Sequence, residues 1–326
     1  MDDHAEIEAV RSKIAENERL LGKIEASPVE IHDPGDTESA DEQGCYVYGI
    51  VNGDDGLLDE LSVSGIDPGY PLNALPYGSI QAIVSKVSLR EFGQDALKAN
   101  LGDIGWLAAK VYAHQTILER AAVGRTIVPM RFCTIYRSES RVMETLAEYY
   151  DDFEDNLARL EGKQEWGIKV YVDRNVLAGK IAEISETVRD LEAQMTEKSS
   201  GTAYFLKKKL EAATDEEMER ISGECAQRSH DRLAGRAVEA VVTPLLDNEV
   251  TGRKDEMIFN GAYLAAEEQL TAFHAELESL WDDYGGYGFS YEVSGPWPPY
   301  NFVIIGPRRI AEDEPIGDKR EEGHAA

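Results

Sequence analysis

Six histidines and three cysteines are the side chains of this sequence best suited to catalysis or metal binding. Their spacing gathers none of them into a working pattern. His4-Ala-Glu6 and His274-Ala-Glu276 match the first half of a zinc deaminase signature, but neither is followed by the Pro-Cys-x-x-Cys that would complete the metal shell. Cys45, Cys133 and Cys225 form no Cys-x-x-Cys and stand at no zinc spacing from a histidine. Cys45 and Cys133 lie in the apolar runs CYVYGIV and VPMRFCTIY, where a thiol serves as a small buried hydrophobe. An odd, scattered set of cysteines fits a reducing, cytoplasmic compartment. The acids of NGDDGLLDE lack the alternating ligand spacing of a calcium loop. There is no phosphate-binding P-loop, GGYGFSY misses the last glycine of the dinucleotide fingerprint, and no nucleophile elbow occurs. His114 sits among apolar residues and reads as structural, with no nucleophile or metal partner near it in sequence. Arg131 and Lys169 fall inside strand-like runs, where a charge faces solvent or pairs across a sheet. Lys207–Lys209 reads as a solvated helix face, or as a contact for an acidic partner. The residues therefore point to no catalytic group, no metal ligand and no cofactor.

The elements that position these residues are bounded first by size and charge. At ~150 residues per domain, 326 residues suggest about two domains, and 42% hydrophobic composition excludes disorder throughout. Acidic residues outnumber basic ones 62 to 33, for a net charge of −29. Such a chain does not bind nucleic acid nonspecifically, which needs a basic surplus. Acids spread over the whole length suggest a surface adapted to concentrated salt, where a Debye length of about 3 Å screens self-repulsion. The alternative is an acidic patch for a basic partner. No apolar run is long enough to span a membrane, and the acidic, amphipathic start MDDHAEIEAV is not a secretory signal.

Residues 1–25 carry Ile7, Val10, Ile14, Leu21 and Ile24 on a three-four spacing, which predicts an amphipathic helix docked on its own protein or on a partner. Residues 26–44 hold six acids, two prolines and no Lys or Arg, and predict an acidic flexible linker. Strands are expected at 45–51, 79–87 and 126–136, with a loop over 62–79 and helices over 95–122 and 138–160. A second half follows: a strand at 165–173, long helices over 175–198 and 202–245, a strand at 256–265, a helix at 267–284 and a strand at 286–295. Bends are expected near Gly223 and Gly235. The expected fold is α+β in two domains, 45–163 and 164–306, ahead of a flexible tail at 307–326. The first is expected as a modified ferredoxin-like sandwich and the second as ferredoxin-like with a long helical insertion.

The ending SGPWPPYNFVII is the most unusual stretch. Pro296, Pro298 and Pro299 predict an extended, polyproline-like strap that makes Trp297 and Tyr300 rigid anchors. The favoured reading packs this strap on the chain's own core; the other leaves it exposed as an adhesive segment.

Seven ordered stretches then carry a resemblance: YVYGIV (46–51), AHQTILERA (113–121), IVPMRFCTIY (127–136), WGIKVYVD (166–173), SGTAYFLKKK (200–209), FNGAYLA (259–265) and SGPWPPYNFV (294–303). Together they resemble the gas vesicle protein F/L family over roughly residues 45–305, with a length that leans to the L type and a haloarchaeal-like composition. The resemblance implies two α+β domains, the second ferredoxin-like. It implies an accessory protein of gas vesicle assembly, cytoplasmic and vesicle-associated, that binds the hydrophobic shell protein and other accessory proteins. Self-association is open, and no catalysis, cofactor or nucleic acid is implied. Residues 1–44 lie outside the family core, and Cys133 stands where glycine is commoner after the phenylalanine. A shell subunit exposes apolar surface before assembly, and a soluble chaperone would cover it. The candidate contacts are Trp297, Pro298, Tyr300, Phe302, Ile304 and Ile305, with strand addition along 302–305 if an edge is open there. The alternatives are a small-molecule-binding or enzymatic module, recognisable by a polar pocket with perturbed carboxylates near His114 or Arg131, and a minor structural component of the vesicle wall.

Overall fold

The computed structural model describes residues 43–306, apart from 54–55, 57–60, 62 and 197–199. The amphipathic stripe at 1–25, most of the acidic linker and the tail at 307–326 lie outside the described residues.

The first sheet is antiparallel, in the order β2 (Leu72–Tyr77), β3 (Ile80–Ser88), β1 (Gln43–Asn52), β4 (Ile127–Pro129), with β5 (Ile135–Tyr136) also pairing with β1. The run CYVYGIV is apolar without alternation because β1 is central and buried on both faces. Tyr46 and Tyr48 face one core with Phe92, Leu107, Val111 and Leu118. Cys45, Val47 and Ile50 face another with Val142, Leu146, Phe153 and Leu157. Gly49 lets the two strands approach, since a Cβ there would meet Ile127 Cδ1 at 2.7 Å.

The second sheet, also antiparallel, runs in the order β7 (Glu239–Val242), β8 (Glu256–Ala266), β6 (Lys163–Val172), β9 (Phe289–Trp297). One face packs a helical layer through Ile168, Val170, Leu177, Phe273 and Leu280. The other face gives Ala262 and Leu264 to the core beneath the first sheet, so the two sheets share buried apolar surface.

Several elements differ from expectation, each for a local reason. The stretch 62–79 is not all loop: β2 forms inside it, and Pro76 is tolerated because β2 is an edge strand. The stripe at 95–122 divides into α1 (Gln94–Asn100) and α2 (Ile104–Ala121), because Asp103 caps the second by accepting the Gly105 and Trp106 amides. Ile104 consequently leaves the stripe and is 76% exposed. The expected strand at 126–136 is two short strands around a turn. There Cys133 takes φ +63° and its N–H donates to the Tyr46 hydroxyl at 2.8 Å. Glycine adopts this left-handed φ without strain, so Cys133 holds a conformation that costs a Cβ-bearing residue energy.

The expected helix at 138–160 has its Ser138 cap but divides at Tyr149 into α3 (Glu139–Glu148) and α4 (Tyr150–Leu160). The stretch 175–198 divides at Ser185 into α5 (Arg174–Ile184) and α6 (Glu186–Thr196), where the Ser185 hydroxyl accepts the Val188 amide at 3.2 Å. The next helix, α7 (Ser200–Ala234), is continuous through Gly223 and stops before Gly235. Residues 239–242 are therefore strand β7, not the end of a helix reaching 245. The final helix of the layer is α8 (Leu270–Tyr284).

Candidate functional site

The C-terminal strap is built as a staple between the two sheets. Trp297 closes β9 and donates to the Ser294 hydroxyl at 3.1 Å. The chain then turns: Pro299 has ψ 58°, and Tyr300–Phe302 forms a short 3₁₀ turn, so the extended polyproline strap is not what forms. Pro298 and Pro299 are buried, and Phe302 is 2% exposed in the core that both sheets share. Tyr300 packs against the first core, where its hydroxyl meets His114 Nε2 at 3.2 Å.

The backbone of the strap is held by side chains. Asn301 donates through its amide and its side chain to the Glu165 carboxylate, at 2.9 and 2.6 Å. Asn156 of α4 brackets Ile304, accepting its N–H at 3.0 Å and donating to its carbonyl at 2.6 Å. Arg159 donates to the Phe302 carbonyl and pairs with Glu239 of β7. The Gly306 amide donates to Asp152 at 2.8 Å. These bonds occupy backbone that strand addition along 302–305 would need. Of the six candidate contacts, Phe302 and Pro298 are buried, Tyr300 is committed to His114, and Trp297 is half-buried. Ile304 and Ile305 remain exposed, at 46% and 40%.

Further exposed apolar residues stand where the sequence reading placed a helix. Val238, Val241, Val242 and Leu245 are exposed on and beside β7, an edge strand of the second sheet. Ile304 and Glu239 line the same cleft of about 180 Å³, together with Asp152, Asp155, Asn156 and Arg159. Pairing of β7 with β8 puts Val241 on the face of Glu239 and of this cleft, and Val238 and Val242 on the opposite face with Ala240. The signal for β7 in sequence is the β-branched pair of AVVTPLL, cut off by Pro244.

The residues singled out for chemistry are accounted for by packing. His114 is 3% exposed, with Nδ1 2.9 Å from the Tyr46 hydroxyl and rings of Tyr46, Tyr48 and Phe132 around it. Burial lowers its pKa to about 3, partly opposed by a hydrogen bond to the Met130 backbone, so the imidazole is neutral. Burial likewise pushes Tyr46 and Tyr300 well up, and Tyr48 to about 12. The carboxyls that move clearly, Glu154, Glu217 and Glu276, move down through hydrogen bonds to Ser79 and Tyr150, to Arg220, and to Arg232 respectively. Lys169 is 4% exposed and meets Glu292 of the neighbouring strand at 3.0 Å, pairing across the sheet rather than facing solvent. Burial pushes the Cys45 thiol up to about 12 and Cys225 to about 11, so both stay protonated at neutral pH. No group of three metal-ligating side chains occurs among the described residues.

The comparisons with known proteins agree with one another. The family model described as gas vesicle synthesis protein GvpL/GvpF matches residues 44–304. Gas vesicle protein L of a Streptomyces species is 29% identical over 274 residues, covering 83% of this chain and 97% of that protein. Gas vesicle protein L1 of Halobacterium salinarum is 26% identical over 290 residues, covering 85% and 96%. In fold, the crystal structure of gas vesicle protein GvpF from Anabaena superposes with a TM-score of 0.58 at 19% identity, covering 82% of this chain and all of that one.

Proposed function

Because the chain belongs to the gas vesicle synthesis protein GvpL/GvpF family, we propose that it acts in gas vesicle formation as an assembly factor for the hydrophobic shell protein. The observation that carries this reading is the set of apolar side chains exposed along the β7 edge and at the strap end, Val238, Val241, Val242, Leu245, Ile304 and Ile305, on a chain of net charge −29. Patches of this kind on a charged soluble protein are interaction sites. Strand β7 is a sheet edge, where an extended segment of the shell subunit can pair with it while its side chains meet the valines. The acidic body keeps the complex dissolved, and other accessory proteins bind elsewhere on it.

An L-type assignment is supported by 29% identity to the L protein of a Streptomyces strain against 26% to the F protein of the same strain. A ferredoxin-like second domain is supported by its β-α-β-β-α-β chain order and its β7-β8-β6-β9 sheet. The place of action is the cytoplasm, at forming vesicles. No helix among the described residues is long and apolar enough to cross a membrane.

The test is capture of the shell protein by the full chain in molar KCl. Val241→Asp and Ile304→Asp, both at exposed positions, are each expected to weaken capture at least tenfold while leaving the circular dichroism spectrum unchanged. Full capture by both variants removes these side chains from the account. Replacing Trp297 or Tyr300 instead would disturb the staple and report on folding.

A further inference from the structure

The helical layer carries a second exposed feature. Helix α7 packs on the second core through residues from Leu210 to Ala234. Just upstream of them Tyr204 and Phe205 are 60% and 74% exposed, and their rings meet edge to face at 5.8 Å. Lys207, Lys208 and Lys209 follow, with Lys208 Nζ 5.5 Å over the Tyr204 ring and the Lys207 side chain 66% exposed. Three adjacent bases beside two open rings make an unusual tip on a chain of net charge −29.

The cleft beside the strap is its complement. Asp152, Asp155 and Glu239 line it with carboxylates, against the single guanidinium of Arg159. Ile304, 46% exposed, supplies an apolar wall, and Val241, 38% exposed, stands on the same face of β7 as Glu239. At about 180 Å³ the cleft is smaller than the ~300–1,000 Å³ usual for a drug-sized ligand, and it suits one large side chain. Tip and cleft match twice over, aromatic to aliphatic and base to acid.

The two cannot meet within one molecule. Helix α7 is continuous to Ala234, so the 26 residues from Lys208 to Ala234 separate those two by about 39 Å at ~1.5 Å per residue. The five residues from Ala234 to Glu239 bring the chain back by at most ~18 Å. At least about 20 Å therefore remains between Lys208 and Glu239, beyond the joint reach of two side chains. We propose that the tip of one copy occupies the cleft of a second copy of this chain. The contact is heterologous, since every copy presents one tip and one cleft. Two rings bury at most about 300–500 Å² on the tip side. Doubled for the cleft side, that stays below the ~1,200 Å² of a stable interface, so association is weak and depends on concentration. Ile304 also belongs to the surface proposed above for the shell protein, so shell protein and second copy exclude each other there; this last consequence alone rests on that reading.

Sedimentation velocity of the full chain in molar KCl tests the contact, because two bodies of charge −29 repel over about 30 Å in dilute buffer but over about 3 Å at molar salt. The wild type is expected to associate reversibly below millimolar concentration. Tyr204→Ser/Phe205→Ser removes the tip, and Asp155→Lys reverses charge in the cleft. All three replaced residues are exposed, so both variants should keep their circular dichroism. Each variant alone is expected to associate at least tenfold more weakly. Their equal mixture pairs an intact tip with an intact cleft, and is expected to regain wild-type affinity in one-to-one complexes. A wild type that stays monomeric up to about 1 mM overturns the proposal. Undiminished association of either variant overturns it too, as does a mixture that regains nothing. The measurement contains no shell protein, so its failure leaves shell capture untouched, and a failure of shell capture leaves this contact untouched.

Discussion

Mild acid should weaken this protein through His114, by an amount the structure sets. In the folded chain burial lowers the pKa of the ring to about 3, against 6.5 as its ordinary value. Between those values the unfolded chain binds a proton that the folded chain refuses, so stability falls as pH falls below about 6.5 and is fully restored above it. The slope is about 1.4 kcal/mol per pH unit, so lowering the pH to about 5 removes about 2 kcal/mol through this single ring. That is a large part of a stability of about 5–15 kcal/mol. The tyrosines around it do not mask the effect, because Tyr46, Tyr48 and Tyr300 all have raised pKa values and stay neutral in acid. The comparison is with His114→Gln, which removes the titrating group and leaves every carboxylate in place. Denaturant unfolding of both proteins in molar KCl, from about pH 7.5 to about pH 4.5, gives two stability curves. The wild-type advantage should shrink by about 2 kcal/mol by about pH 5. Curves that stay parallel over that range would refute a neutral, buried His114.

Phe302→Ala should cost about 3–5 kcal/mol in the same unfolding assay, because the ring is 2% exposed in the core shared by both sheets. Asn156→Ala should cost about 1–3 kcal/mol by leaving both polar groups of Ile304 unpaired, and should speed proteolysis at 303–306. At Cys133, with φ +63°, glycine should be nearly neutral on thermal melting, since relief of about 1–2 kcal/mol of strain offsets the lost thiol, whereas Cys133→Val should be clearly destabilising. Withdrawal of salt should loosen the fold, since a charge of −29 is screened over about 3 Å at molar ionic strength and over about 30 Å in dilute buffer. Near-ultraviolet circular dichroism that is identical in both conditions would contradict a salt-adapted surface.

Strands with one dominant signal were legible in the sequence. CYVYGIV and EMIFNGAYLA lie within observed strands, and SIQAIVSKV and WGIKVYVD each overrun theirs by one residue, as expected for β-branched and aromatic runs. The missed strands, β2 and β7, are short edges; Pro76 in β2 and exposed side chains in both remove the alternation that marks a half-buried strand. Helix breaks at Ser185 and Tyr149 were invisible because apolar spacing continues across them; a side-chain cap or a single backbone turn makes the break. At the strap, the aromatics announced burial correctly. Which surfaces they join depends on Asn156, Arg159 and Glu165, polar residues more than 130 positions away that no local pattern connects to them. The exposed apolar residues on and beside β7 were hidden for the opposite reason, the valines having been assigned to the helix before it.

The staple also has a consequence for synthesis. Tyr300 and Phe302 complete cores whose other walls, Ala262, Leu264 and Val303 apart, are laid down by Leu160, so the early part of the chain waits on the late part. At ~5–20 residues per second, translation of the intervening stretch of about 145 residues takes about 7–30 s. During that interval the pocket above His114 and the underside of the first sheet stand open on the ribosome. A nascent chain of this design is vulnerable until Phe302 has emerged, and a stop codon ahead of Phe302 would strand both halves unfinished.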